Sequence, residues 1–360
     1  MPALFEPLKV GTMELKHRIV LAPLTRFRSE DDGTPIVELM RQYYCDRALV
    51  PGTLLIAEAT DATFNAGGYA NVPGIFSESQ ISHWKQITDA VHEKKSYMFL
   101  QVWALGRTNP GQKVPKVGSS SPIKEGDFPQ PEELTLEEIE EYEDGFVQAC
   151  KNAIAAGFDG VEIHGAHGYL IDQFIQDVSN KRTDKYGGSV ENRTRFALNI
   201  LDKAAEAIGE EKLAIRLSPF NEIQGMGMKD PYPTFSYLIS QLESKHPDLA
   251  YLHVVEPRVS GYLDREIKEG ETSEVYKKLW SGPWVAAGGF TPATAIEFAE
   301  KNSKSLVAFG RHFISNPDLV AKVMEGLPLT PYDRNTFYIN KSPEGYINIP
   351  YAEELKGKYY

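Results

Sequence analysis

Apolar residues in this chain gather into eight short runs, at 19–24, 53–58, 98–103, 160–164, 213–217, 251–256, 284–287 and 306–309. Near-continuous apolar runs suit parallel strands buried on both faces. Between the runs the period changes from continuous to three-and-four. Thr135 followed by Glu138 has the capping-box pattern, a hydroxyl first and a carboxylate three residues later. Ile139, Tyr142, Phe146, Ala149, Cys150, Ala153 and Ile154 then mark one helical face, and Gly157 closes it. Glu137, Glu138, Glu140, Glu141, Glu143 and Asp144 fill the remaining positions and predict a solvated face. Thr291-Pro292 and Asn316-Pro317 each predict a capping residue before a first-turn proline. Trp84, Ile87 and Val91 mark a helix near 79–93, and 191–208 reads as a helix closed by Gly209.

Eight strand–helix units predict an α/β fold, a (β/α)8 TIM barrel, as a single domain over 1–360. An N-terminal hairpin over 1–17, turning at Val10-Gly11-Thr12, is expected to cap the barrel bottom. Residues 104–134, rich in Gly, Pro, Ser and Lys, are too long for a plain connection and predict a flap over the mouth. The tail from 332 to 360 is expected to wrap back over the body.

Composition narrows the function. The net charge of −12 argues against a nucleic-acid binder, which needs a basic face. It gives no reason to expect an anionic membrane partner, and no apolar run approaches the roughly 18 residues of a membrane span. Two cysteines, Cys45 and Cys150, make no disulfide framework and fit a reducing compartment. The first residues lack a basic region followed by an apolar run, so no signal peptide is expected. These readings together predict a cytoplasmic protein.

In a barrel, chemistry belongs at the carboxyl ends of the strands. Strand 4 delivers His164, His167 and Tyr169 within six residues. Two imidazoles and a phenol can polarise a carbonyl and deliver a proton. The same His pair could ligate a metal, with Glu58 and Glu256 as conceivable acidic partners. Gly288-Gly289 and Gly310-Arg311 follow strands 7 and 8, where bare backbone N–H groups and an arginine fork can hold phosphate; ordinary turns are the alternative. Arg216 ends an apolar strand and needs an anion or several acceptors if buried. Gln101 offers a donor beside an acceptor, which suits an imide-like ring edge. A phosphate, a planar imide ring and an arginine-balanced region together describe FMN.

Several segments resemble the Old Yellow Enzyme family of FMN-dependent ene reductases, across nearly the full length. They are 22–26, 101–103, 164–174, 180–193, 309–311 and Gly345-Tyr346, and the run from His164 to Arg193 is the most specific. The resemblance implies non-covalent FMN held by Pro23, Leu24, Thr25, Ala57, Gln101, Arg216, Gly288, Gly289, Gly310 and Arg311, with no metal. It implies that His164 and His167 bind the substrate oxygen, His167 standing where the family has His or Asn. Tyr169 would supply the proton, and Trp103, Tyr262 and Tyr346 would shape the substrate pocket. The expected activity is an NADPH dehydrogenase that reduces electron-poor alkenes (α,β-unsaturated carbonyl or nitro compounds) in a ping-pong cycle. A monomer and a homodimer both remain open.

Overall fold

Each apolar run forms one strand of a closed parallel barrel. The strands are β1 (Ile19–Leu21), β2 (Leu54–Asp61), β3 (Tyr97–Trp103), β4 (Gly160–Gly165), β5 (Leu213–Leu217), β6 (Tyr251–Val255), β7 (Trp284–Ala287) and β8 (Ser305–Phe309). They neighbour one another in chain order, and β8 returns to β1 with Val307 paired to Ile19. This computed structural model describes residues 1–261 and 263–360. The helices are α1 (Val37–Arg47), α2 (Glu78–Glu93), α3 (Leu136–Ala155), α4 (Leu170–Ile175), α5 (Val190–Ile208), α6 (Tyr232–Lys245), α7 (Glu274–Lys277), α8 (Pro292–Lys301), α9 (Arg311–Ser315) and α10 (Leu319–Glu325).

Alternation along each strand separates two cores. Outward residues such as Leu55, Leu100, Val161 and Ile215 pack with Trp84 and Val91 of α2 and with Ile139 and Phe146 of α3. Inward residues Val20, Leu54, Ile56, Phe99, Tyr251, Val285 and Leu306 fill the barrel. Val10, Met13 and Leu15 join that inner cluster from a two-stranded hairpin, Leu8–Val10 against Met13–Leu15. The bottom is thereby sealed with apolar side chains. One position higher on the inward face, the residues become polar: Gln101 of β3, Glu162 of β4, Arg216 of β5 and His253 of β6. The barrel is therefore a plug below and a polar floor above.

The helix signals mostly act as read. Thr135 and Glu138 exchange reciprocal cap bonds at 2.8 and 3.2 Å, and Thr291 caps α8 through Thr294. Two expectations fail. Asn316 is not a cap: α10 begins at Leu319 after Asp318, and the Asn316 amide instead accepts from Lys322 Nζ and the Thr330 N–H, each at 2.8 Å. Glu143 is not on a solvated face. It is buried and accepts from Asn199 at 2.9 Å and the Tyr186 hydroxyl at 3.2 Å, with Lys203 Nζ at 3.0 Å.

Residues 104–134 leave β3 and buttress the mouth without lining it. Arg107 donates to the Gln224 carbonyl at 2.8 Å, and Ser119 donates to the Gln173 side chain at 2.9 Å. The tail does return over the body. Arg26 Nη2 donates to the Gly345 carbonyl at 2.7 Å and Arg28 to the Glu344 carbonyl at 2.9 Å, so the loop after β1 clamps it. Among the described residues, no helix is long and apolar enough to cross a membrane.

Candidate active site

A cavity of about 690 Å³ opens above the polar floor, at the carboxyl ends of the strands. β4 carries His164 to its wall, and the following turn brings back His167 and Tyr169. The turn is built from left-handed backbone: φ is 58° at His167 and 77° at Gly168. For a histidine this conformation is uncommon and costs on the order of 1 kcal/mol, held only where surroundings enforce it. Here they do. The His167 N–H donates to Ser218 Oγ at 2.8 Å, and its carbonyl accepts from Gln224 Nε2 at 2.9 Å. The Gly168 N–H donates to Asp172 at 2.8 Å, and its carbonyl accepts from Gln173 at 2.7 Å.

The turn brings three rings together. His164 lies 4.9 Å from Tyr169 and 5.7 Å from His167 between ring centroids. Trp103 covers both, at 4.5 Å from Tyr169 and nearly parallel to His164 at 6.1 Å. Burial pushes both imidazoles well below their ordinary pKa, and the Arg216 charge adds to it. They are neutral at pH 7. His164 Nδ1 accepts the Ala166 N–H at 3.3 Å, which places the ring proton on Nε2, the one donor left for a ligand. Burial also raises the Tyr169 phenol above its ordinary range, so it remains a protonated acid. Among the described residues no group of three or more His, Cys, Asp or Glu converges as a metal would need.

The cavity's other end fits a flavin. Arg216 lines it, and its Nε is buried with no hydrogen-bond partner, a donor that asks for an acceptor from a ligand. Gln101 Nε2 is bound to Glu162 at 2.7 Å, leaving the amide oxygen for an imide N–H. Glu162 also takes the His253 N–H at 2.8 Å. Burial favours its neutral form, but His253, Arg216 and Gln101 outweigh that and hold it ionised. Gly288 and Gly289, expected to hold a phosphate, also line the cavity, with φ of 110° and 63°. A side chain at Gly288 would meet Val259 at 2.7 Å, so the backbone is bare there by necessity. Gly310, Pro23, Leu24 and Thr25 complete this wall. Arg311 also lines it, but its fork is engaged by Asp264 and by the Tyr332 hydroxyl at 3.0 Å.

Two expected site residues lie elsewhere. Tyr346 does not line the cavity. It is fully buried, stacked on Tyr43 at 4.1 Å with Arg28 4.7 Å over its ring, because the Gly345 carbonyl is anchored to Arg26. Ala57 is not on the wall either. β2 slips register between Ala57 and Thr60, so Glu58 and Ala59 share one partner position, and Ala59 reaches the cavity instead. Tyr262 lies outside the described residues. Conversely, Phe27, Tyr69, Gln224, Tyr332, Phe337 and Tyr338 line the cavity unforeseen. Only the aromatic density of the tail hinted at any of them.

A model of the NADH:flavin oxidoreductase / NADH oxidase family matches residues 3–330. The fold superimposes on the Old Yellow Enzyme from Pichia sp. AKU4542 with a TM-score of 0.91 at 38% identity, covering 98% of this chain and 94% of that one. The chain belongs to the Old Yellow Enzyme family. Family membership implies FMN as the cofactor, in agreement with the donor set around Arg216. Among relatives of this Old Yellow Enzyme is the NADP-dependent oxidoreductase lnbE of Aspergillus flavus, 46% identical over 98% of this chain and 97% of its own length. Another is named a probable inactive reductase, easA of Epichloe festucae var. lolii, 44% identical over 98% and 96%.

Proposed function

We propose that this Old Yellow Enzyme uses NADPH to reduce the C=C bond of α,β-unsaturated carbonyl or nitro compounds. The reading rests on one observation: two neutral imidazoles and a protonated phenol surround the same cavity that holds the orphaned Arg216. FMN held by Arg216 and Gln101 would supply hydride-transfer chemistry between NADPH and the alkene β-carbon. His164 Nε2–H and the His167 ring donate to the substrate oxygen, where negative charge develops. Neutral donors suit this, because they need not lose a proton to hold that charge. Tyr169 gives its proton to the α-carbon, and Trp103 confines the substrate plane. The name of the Aspergillus relative supports NADPH over NADH. An inactive reading, as a relative's name suggests for easA, has no support from the site, since the Tyr169 phenol is in place.

The purified protein should be yellow and bleach with NADPH. Tyr169→Phe should slow enone turnover by roughly 10²–10⁴-fold, the usual worth of a general acid, while flavin bleaching by NADPH stays within about twofold of wild type. Unchanged enone turnover in stopped flow would remove Tyr169 from the mechanism.

A further inference from the structure

One carboxylate beside this site is left over by the chemistry above. Asp61 ends β2, opposite Trp103 at the end of β3 in the strand register. Its Oδ1 accepts the Trp103 indole N–H at 2.7 Å, and both side chains are buried. Among the described residues, this indole is the only donor bonded to the carboxylate. The two residues are also tied through the backbone, since the Ala62 N–H donates to the Trp103 carbonyl at 3.1 Å. Asp61 itself is held on the far side: its N–H donates to the Pro73 carbonyl at 2.8 Å, and its carbonyl accepts the Ile75 N–H at 3.2 Å. Gly67 closes over the carboxylate so tightly that a Cβ there would sit 2.0 Å from Oδ2.

A buried carboxylate with a single side-chain donor is expensive to keep. Burial outweighs the Trp103 bond and the more remote Lys113 charge, and the carboxyl pKa is raised to about 7. The core could have covered the indole with an apolar residue. What the carboxylate adds is direction. An indole has one donor, so a fixed acceptor sets the rotation of the whole ring. That ring lies against both His164 and Tyr169. The register slip in β2 delivers the acceptor: without the extra residue, a different side chain would face Trp103.

We infer that Asp61 is a positioning residue which, by holding the Trp103 indole N–H, fixes the wall that decides how a cyclic alkene lies between His164 and Tyr169. It is thus a determinant of substrate fit and of product handedness. The inference rests on the ene-reductase reading above, and its test separates the two. The probe is 2-methylcyclohexenone with NADPH and the FMN-loaded enzyme. Asp61→Ala should raise KM by roughly tenfold, the order of a lost charge-assisted bond. The product enantiomer ratio should shift toward unity, while kcat changes by less than about threefold. Asp61→Asn keeps an acceptor and should restore most of the ratio. Gly67→Ala, which leaves the carboxylate in the chain but crowds it, should reproduce the Asp61→Ala shift and covers the case in which Asp61→Ala does not fold. In a Trp103→Phe background, Asp61→Ala should add nothing. An unaltered enantiomer ratio in Asp61→Ala, or an undiminished effect of Asp61→Ala in the Trp103→Phe background, overturns the inference. If the wild-type protein turns over no enone, the proposed function fails, and the indole contact is then read on its own by NMR of ¹⁵N-tryptophan protein. The Trp103 Nε1–H resonance, assigned with Trp103→Phe, should move upfield in Asp61→Ala, and an unmoved resonance overturns the inference there too.

Discussion

Arg311 shows how a side chain assigned to a ligand finds a substitute. The resemblance gives its fork to the FMN phosphate, and the structure gives it to Asp264, whose carboxyl is held below its usual range by that contact. Asp264 lies in the loop after β6 and is mostly solvent-exposed, so the pair is worth little in itself. It still competes with an anion for the same guanidinium. Asp264→Asn should therefore tighten FMN binding to the apoprotein by about threefold, in line with an exposed ion pair, as read by quenching of flavin fluorescence. Weaker binding in Asp264→Asn would show the aspartate to orient Arg311 rather than to compete. Deeper in the barrel the logic reverses. Glu162 is fully buried and accepts from both Gln101 and His253. Glu162→Gln should cost about 3 kcal/mol in urea unfolding, because it strips the buried Arg216 of its nearest negative charge.

The turn from β4 into α4 carries more of the site than any other segment. Its geometry depends on Gly168, where φ is 77° and an added Cβ would sit 2.8 Å from Gln224 Cβ. Gly168→Ala should destabilise the protein by about 1–2 kcal/mol. It should also lower enone turnover more than flavin reduction, since it displaces His167 and Tyr169 together; thermal melts and stopped flow separate the two effects. The strands around this turn were legible in the sequence to within a few residues at each end, because burial on both faces leaves an uninterrupted apolar signature. The slip in β2 was not. Glu58 and Ala59 look like ordinary strand residues, and only pairing with β3 reveals that two of them share one partner. That is why Ala57 was expected at the wall and Ala59 occupies it. Asn316 misled for a related reason: a capping residue and a buried amide that stitches loop to helix look alike until Thr330 and Lys322 are in view.

Across the chain, the resemblance placed the site's centre well, because His164, His167 and Tyr169 are close in sequence and share one turn. It served worse where distant segments converge, as with Tyr346, whose position follows from Arg26 and Arg28 more than three hundred residues away. Stability is likewise set at a distance from the chemistry. His17, at the sealed bottom of the barrel, bonds Thr53 through Nε2 at 2.9 Å and accepts the Ile19 N–H at Nδ1. Burial lowers its pKa from 6.5 to about 3. A folded-state pKa below the unfolded one means the neutral ring's contribution is whole above pH 6.5 and is lost as pH falls toward 3. The slope is up to about 1.4 kcal/mol per pH unit. Between pH 6.5 and 5 the wild type should lose about 2 kcal/mol more than His17→Asn in urea titrations. Equal losses would mean that other groups carry the acid sensitivity. The tail has a consequence of another kind. The barrel can close once β8 is made, at Phe309, yet Phe337 and Tyr338 form part of the cavity wall and are drawn there by Arg26 and Arg28. During synthesis the scaffold is therefore available before the pocket is, and a ribosome must release nearly thirty more residues before a cofactor meets a finished wall.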